Sequence, residues 1–173
     1  MPFIFKGTTV KKLTYRGTTC KKHIAKGVQV WSAEYNALTE GGWSTNSTYS
    51  DVAITVNTSS ISITTNGTGY QGRVYKLLDV TNYSKLTITY SGYAYYSSFG
   101  AGLVKSLPAD YQPNAVTVGV STDGLDLSTP HTIASNTKTF DISSLTGNYY
   151  LFVGAYQGSS WNGQITVTKF LLE

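Results

Sequence analysis

A single cysteine, Cys20, in 173 residues excludes an internal disulfide framework. The fold must stand on packing and hydrogen bonding, which suits synthesis in a reducing cytosol. Histidine is nearly as scarce. His23 and His131 are the only two, and neither stands in a His-Glu-x-x-His or comparable spacing, which speaks against a metal site. There is no Gly-x-Ser-x-Gly and no Walker-type loop. Most of the nine carboxylates stand in turn contexts, where Asp bonds its own backbone, and not in the facing pair that glycoside hydrolysis needs. Asp123-Gly124-Leu125-Asp126 lacks the spacing of a calcium loop. No catalytic residue, metal ligand or cofactor motif emerges, and the expectation is a protein that is not an enzyme.

Long apolar runs are missing too. None approaches the ~18–20 residues of a membrane span, so no membrane insertion is expected, and none shows sustained helical periodicity. The start Met1-Pro2-Phe3-Ile4-Phe5-Lys6 is too short an apolar stretch for the h-region of a signal peptide, which predicts a chain made and kept in the cytoplasm until assembly. Without export, the sequons at Asn46, Asn57, Asn66 and Asn82 are expected to stay unmodified.

What is abundant is glycine (17) and tyrosine (14), with Ser and Thr in nearly every block of ten. That is the composition of short strands and turns. From Asp51 onward alternating segments recur: Val52 to Val56, Ile61-Ile63, Tyr70 to Leu78, Leu86 to Tyr90, Phe99 to Val104, Val116 to Val120, Thr137 to Ile142, Tyr149 to Tyr156 and Gln164 to Leu172. About nine short strands at this spacing predict an all-β fold, a jelly-roll-like antiparallel β-sandwich over residues 51–173. Residues 32–50, polar apart from Tyr35 and Trp43, read as a linker.

Residues 1–31 are different. Phe5-Lys6-Gly7-Thr8-Thr9-Val10-Lys11-Lys12 returns ten residues later as Tyr15-Arg16-Gly17-Thr18-Thr19-Cys20-Lys21-Lys22, and again, decayed, as Ala25-Lys26-Gly27-Val28-Gln29-Val30-Trp31. Basic-Gly pairs at tight turns predict a small N-terminal β-meander of ten-residue repeats. An even repeat is expected to keep Val10, Cys20 and Val30 on one face, while Leu13 and Tyr15 fall on the other. A ribbon that small cannot cover both faces itself, so another surface must. Val10, Leu13, Tyr15, Cys20, Val30 and Trp31 are the candidate assembly interface. All seven bases of this arm precede the first acid, Glu34, and the rest of the chain carries six bases against nine acids. The Lys-Lys pairs put one lysine on each face and leave no coherent basic stripe, which argues against nucleic acid as the partner.

The arm, with its basic-Gly-Thr turns and closing Val28-Gln29-Val30-Trp31, resembles N-terminal segments of tail-associated and baseplate proteins in phages and prophages of Gram-positive bacteria. The segment Leu78-Asp79-Val80-Thr81-Asn82-Tyr83-Ser84-Lys85-Leu86-Thr87-Ile88 and the stretch Phe140 to Leu151 resemble carbohydrate-binding-module-like jelly rolls. The resemblance implies a non-enzymatic virion protein of receptor-binding or adhesion type. Its arm would attach to other virion or tail proteins, and its sandwich would bind a host surface polysaccharide. A homo-oligomer, as a trimer, is implied by the same resemblance.

Aromatic residues make up 13% of the chain and are not spread as core residues are. In Leu86 to Tyr96, parity puts Leu86, Ile88, Tyr90 and Ala94 inward and Tyr93 and Tyr95 outward. In Tyr149 to Gln157 it puts Leu151, Val153 and Ala155 inward and Tyr150, Phe152 and Tyr156 outward. Tyrosine faces can stack on the C–H face of a sugar while amides bond its hydroxyls. The candidate glycan-binding residues are Trp161, Tyr156, Gln157, Asn162, Tyr93 and Tyr95. Two alternatives stand beside this reading. One is a purely structural virion component, a decoration or tail appendage without ligand, whose tyrosines pack on neighbouring subunits. The other is an isolated carbohydrate-binding module.

Overall fold

A computed structural model describes residues 13–15, 18–25, 28–48, 52–67, 69–108, 116–122, 130–157 and 162–173, with 13–33 and 162 described by their backbone alone. The arm forms the expected meander of β1 (Leu13–Tyr15), β2 (Thr18–Ala25) and β3 (Val28–Ala33), antiparallel in that order. Its turns Arg16-Gly17 and Lys26-Gly27, and everything up to Lys12 including Val10, lie outside the described residues. The register corrects the expected faces. Leu13 pairs with Cys20 and Cys20 with Ala33, while Lys22 pairs with Trp31 and His23 with Val30. Paired residues sum to an odd number, so parity reverses at each two-residue turn, and a ten-residue repeat puts successive copies on opposite faces. By register Leu13, Tyr15, Cys20 and Trp31 share one face, and Val30 belongs to the other.

The remaining elements are β4 (Tyr35–Asn36), α1 (Ala37–Glu40), β5 (Ser44–Ser47), β6 (Ala53–Val56), β7 (Ile61–Asn66), β8 (Gln71–Asp79), β9 (Lys85–Ala94), β10 (Ser97–Val104), β11 (Val118–Ser121), β12 (His131–Asp141), β13 (Asn148–Gln157) and β14 (Asn162–Leu172). Each of the nine expected strands is present. One sheet has the order β11-β10-β13-β8-β5; the other runs β12-β9-β14-β7-β6, with β4 paired to the end of β14. The chain is an all-β protein whose antiparallel sheets form a sandwich.

Period-two alternation builds the interior. Ile61 and Ile63 of β7, Leu86 and Ile88 of β9, Leu151 and Val153 of β13, and Ile165 and Val167 of β14 are fully buried, whereas Ser62 and Thr64, alternating with the isoleucines of β7, are not. Each such side chain contributes roughly 1.5–3 kcal/mol by leaving water. Leading out of β8 and of β12, Asp79-Val80-Thr81 and Asp141-Ile142-Ser143 make matching turns in which Val80 and Ile142 are buried. The two turns clasp each other: Val80 N donates to Gly147 O at 3.0 Å and Ile142 N to Ser84 O at 2.9 Å.

Within the expected linker, residues 35–47 are part of the sandwich. Asn36 caps α1 by accepting from Leu38 N at 3.2 Å, and Ala37 and Leu38 are buried in the core. Trp43 donates its indole N–H to Ala37 O at 3.0 Å and sets its ring 6.0 Å from that of Phe170. β5 pairs along β8, so the sandwich begins at Tyr35. One further difference is β12, which starts at His131 and not near Thr137. A register shift between Ile133 and Asn136 breaks the alternation that would have revealed its first half.

Candidate functional site

The strands divide the sandwich into two ends. At one, which we call the root, the chain arrives from the arm through Glu34 and pairs Tyr35 with Leu172. At the far end β7, β9 and β13 stop and β8, β10 and β14 begin, as Asn66 pairs with Asn162 and Ser97 with Gln157. Most of the candidate glycan residues collect there.

Gln157 is the centre of the far end, but not as a ligand residue. It is fully buried. Its backbone N–H donates to Tyr70 O at 2.9 Å, and its carbonyl accepts from Gly69 N at 2.8 Å. Its side-chain amide donates toward two carbonyls, Tyr95 O at 3.2 Å and Tyr96 O at 3.4 Å. Thr65 Oγ1 lies 3.5 Å from Gln157 Oε1 and 3.4 Å from Gly163 O, completing a buried polar network. A buried amide must find partners, and here they are carbonyls of the tight connection from β9 in one sheet to β10 in the other. That corrects its expected role as a sugar contact.

The turn held this way is Tyr95-Tyr96. β9 ends at Ala94, so Tyr95 is not an outward strand residue as its parity implied. Tyr95 N donates to Ser97 Oγ at 3.1 Å, and the two tyrosine rings lie 4.8 Å apart, tilted by 39°. Tyr96 has φ of 46° and is 44% exposed. It is the only non-glycine residue in the left-handed region among the described residues. A bulky side chain there is an outlier that costs of order 1–3 kcal/mol and persists only where its surroundings enforce it. Gly163 lets β14 approach closely: a Cβ there would lie 2.5 Å from Ser97 Oγ.

Tyr156 is half-buried on the outer face of the β11-β10-β13-β8-β5 sheet, opposite Ser98 and Gln71. Tyr93 is half-buried on the outer face of the other sheet, between Thr132 and Gln164. These two therefore flank the far end from different faces. Trp161 lies outside the described residues, and of Asn162 only the backbone is described. Tyr96 was not singled out from the sequence, because nothing in a residue string reports a positive φ.

The tyrosine platform expected along β13 is interrupted. Phe152, outward by parity, is fully buried. Arg73 of the neighbouring β8 donates to Pro108 O at 2.6 Å, which brings Pro108 against this face. What stays open lies nearer the root: Tyr75 and Tyr150 meet edge-on at 6.0 Å, beside Leu77, which is 51% exposed.

Titration is perturbed at the root. Burial, then the charge of Glu40, pushes the Tyr35 phenol up to about 12, and burial raises Tyr83 as well. Lys76 is lowered by burial; its ammonium bonds Gly41 O and sits 5.3 Å from the Tyr35 ring. Among the described residues no group of three His, Cys, Asp or Glu could hold a metal ion, and no helix is long and apolar enough to cross a membrane.

No protein-family model and no curated protein matches this chain. Solved structures do. A carbohydrate-binding module, TmCBM61, in complex with β-1,4-galactotriose is 10% identical with a TM-score of 0.44, over 75% of this chain and 87% of that one. The enzymatically active domain of tailspike protein 4 of bacteriophage CBA120 is 10% identical with a TM-score of 0.40, over 76% of this chain and 19% of that one. The K1 cleaved adhesin domain of Lys-gingipain from Porphyromonas gingivalis is 14% identical with a TM-score of 0.35, over 81% and 89%. The likeness is one of architecture and lends no residue to the site.

Proposed function

We propose that this chain is a non-enzymatic adhesion component of a phage-tail-like particle, attached through its arm and binding a surface glycan at the far end of the sandwich. The observation that carries the reading is Tyr96: a buried amide is committed to holding an exposed tyrosine in a conformation it resists. Strain of this kind collects where a side chain must be presented, and a ring beside a second ring is suited to stack on a sugar. Tyr93 and Tyr156 extend the surface in this reading, with Trp161 and Asn162 kept as candidates from the sequence. None of the residues 93–98, 156–157 and 161–163 is charged, which favours a neutral polysaccharide.

The polarity of the chain supports the same division of labour. The arm joins at the root, so a chain fixed by its arm to tail proteins holds residues 95–97 at the opposite end of the strands. Leu13, Tyr15, Cys20 and Trp31, sharing a face by register, are the positions proposed to dock, in a virion-borne oligomer.

A host-wall glycan array read with the intact protein tests this. Binding to at least one neutral polysaccharide is expected, lost in Tyr96→Ala and Trp161→Ala. No binding, or binding indifferent to both changes, overturns it. One observation favours the purely structural alternative: Leu77, exposed beside Tyr75 and Tyr150, offers an apolar patch suited to a neighbouring subunit.

A further inference from the structure

A second feature has the make-up of a ligand site, and it lies at the root. Between the C-terminal end of α1 and the turn joining β6 to β7 there is a groove of about 280 Å³, lined by Leu38, Gly41, Gly42, Trp43, Val56, Asn57 and Thr58. Its volume falls just under the range of about 300–1,000 Å³ typical of small-molecule pockets, which suits a ligand the size of one sugar ring.

Both walls are pinned before any ligand arrives. On one side Trp43 is anchored through its indole N–H to Ala37 O and by its ring against Phe170, while the Lys76 ammonium ties down Gly41 O. On the other side Asn57 organises the turn. Its Oδ1 accepts from Ser59 N at 2.9 Å and from Ser60 N at 2.7 Å, and its own N–H donates to Ser60 O at 2.9 Å. With Oδ1 committed, the amide NH2 of Asn57 and the hydroxyl of Thr58 are the donors at the rim. Val56, 37% exposed, is the apolar residue of the lining on this side.

We propose that this groove is a carbohydrate subsite taking a single neutral pyranose unit, its ring against Trp43 and Val56 and its hydroxyls on Asn57 and Thr58. All seven lining residues are uncharged, and the ammonium behind them, that of Lys76, is committed to Gly41 O, which matches a neutral ligand. Rigid walls reduce the ordering cost of binding, as preorganised sites require. The subsite does not rest on the reading of Tyr96, from which it is separated by the length of the strands.

The test is NMR of the 15N-labelled full chain, following the indole N–H of Trp43, assigned by its disappearance in Trp43→Phe. The probes are methyl β-galactopyranoside, methyl β-glucopyranoside and triacetylchitotriose. At least one is expected to shift that resonance saturably. Val56→Lys, at an exposed position where folding tolerates a lysine, should abolish the shift. Asn57→Ser, which keeps a turn-capping oxygen and removes the amide donors, should weaken binding about five- to tenfold. Tyr96→Ala should leave the dissociation constant unchanged. A Trp43 resonance that no probe moves overturns the proposal, including where the arm or a second copy already fills the groove. So does a response indifferent to Val56→Lys, or one lost in Tyr96→Ala.

Discussion

The side-chain amide of Gln157, buried at the end of β13, lies 3.4 Å from the carbonyl of Tyr96 and holds that residue at a φ of 46°. A core residue of one sheet thereby sets the conformation of an exposed residue in the connection from β9 to β10, which joins the two sheets. Gln157→Leu keeps the volume but removes the amide that donates to the Tyr95 and Tyr96 carbonyls and leaves the Thr65 hydroxyl with Gly163 O alone. A destabilisation of about 2 kcal/mol is expected in urea denaturation, together with loss of glycan binding.

Tyr96 offers a comparison that separates backbone strain from binding. Tyr96→Ala keeps the unfavourable φ and removes the ring, whereas Tyr96→Gly removes both. The glycine variant is expected to be more stable than the alanine variant by about 0.5–1 kcal/mol, and neither should bind. Equal stabilities would mean that the turn is not strained.

Residues 35–47 behave as part of the sandwich, and truncations should show it. A chain lacking residues 1–33 keeps β4, α1 and β5 and is expected to fold, with a cooperative thermal transition. A chain lacking residues 1–50 exposes Phe170 and the edge of β8 and is expected not to. Trp43→Ala in the full chain should cost about 3 kcal/mol, from lost packing and an unpaired Ala37 carbonyl.

The two pH limbs of stability have different owners. Asp79 is held below its ordinary value of 3.8 by bonds from the Thr81 hydroxyl and N–H, and Asp141 likewise by Ser143. The unfolded chain therefore binds these protons more readily. Their contribution is present above about pH 4 and lost as pH falls through the lower folded values. Tyr35 is opposite in sign: with its folded value at about 12, its contribution is complete below pH 10 and lost as pH rises between the two. Thr81→Val should flatten the acid limb and Tyr35→Phe the alkaline one, each measured by denaturation midpoints across pH.

Much of this fold is legible in the residue string, and the misses have physical causes. Alternation locates β7, β9 and β14 because their apolar residues fall mainly on one buried face, and β13 because its apolar run is buried on both. β4, α1 and β5 escape because only Tyr35, Ala37 and Leu38 commit to the core there, too few to show a period. Parity orients Phe152 correctly as outward, but it cannot say that the residue is buried on that face or that Arg73 beside it bonds Pro108 O. Gln157 reads as a ligand amide beside Tyr156 because a sequence does not show the carbonyls across a sandwich. The ten-residue repeat in the arm is legible, yet its faces invert at each turn, which only the register reveals.

The central claim is that the far end of the sandwich, and Tyr96 in particular, contacts a glycan. The most direct measurement is a residue-resolved NMR titration of the intact chain with a polysaccharide fragment to which it binds. Saturable shifts centred on the amides of Tyr95, Tyr96 and Ser97, absent in Tyr96→Ala, are the expected result. Shifts that leave these three amides in place would contradict the account.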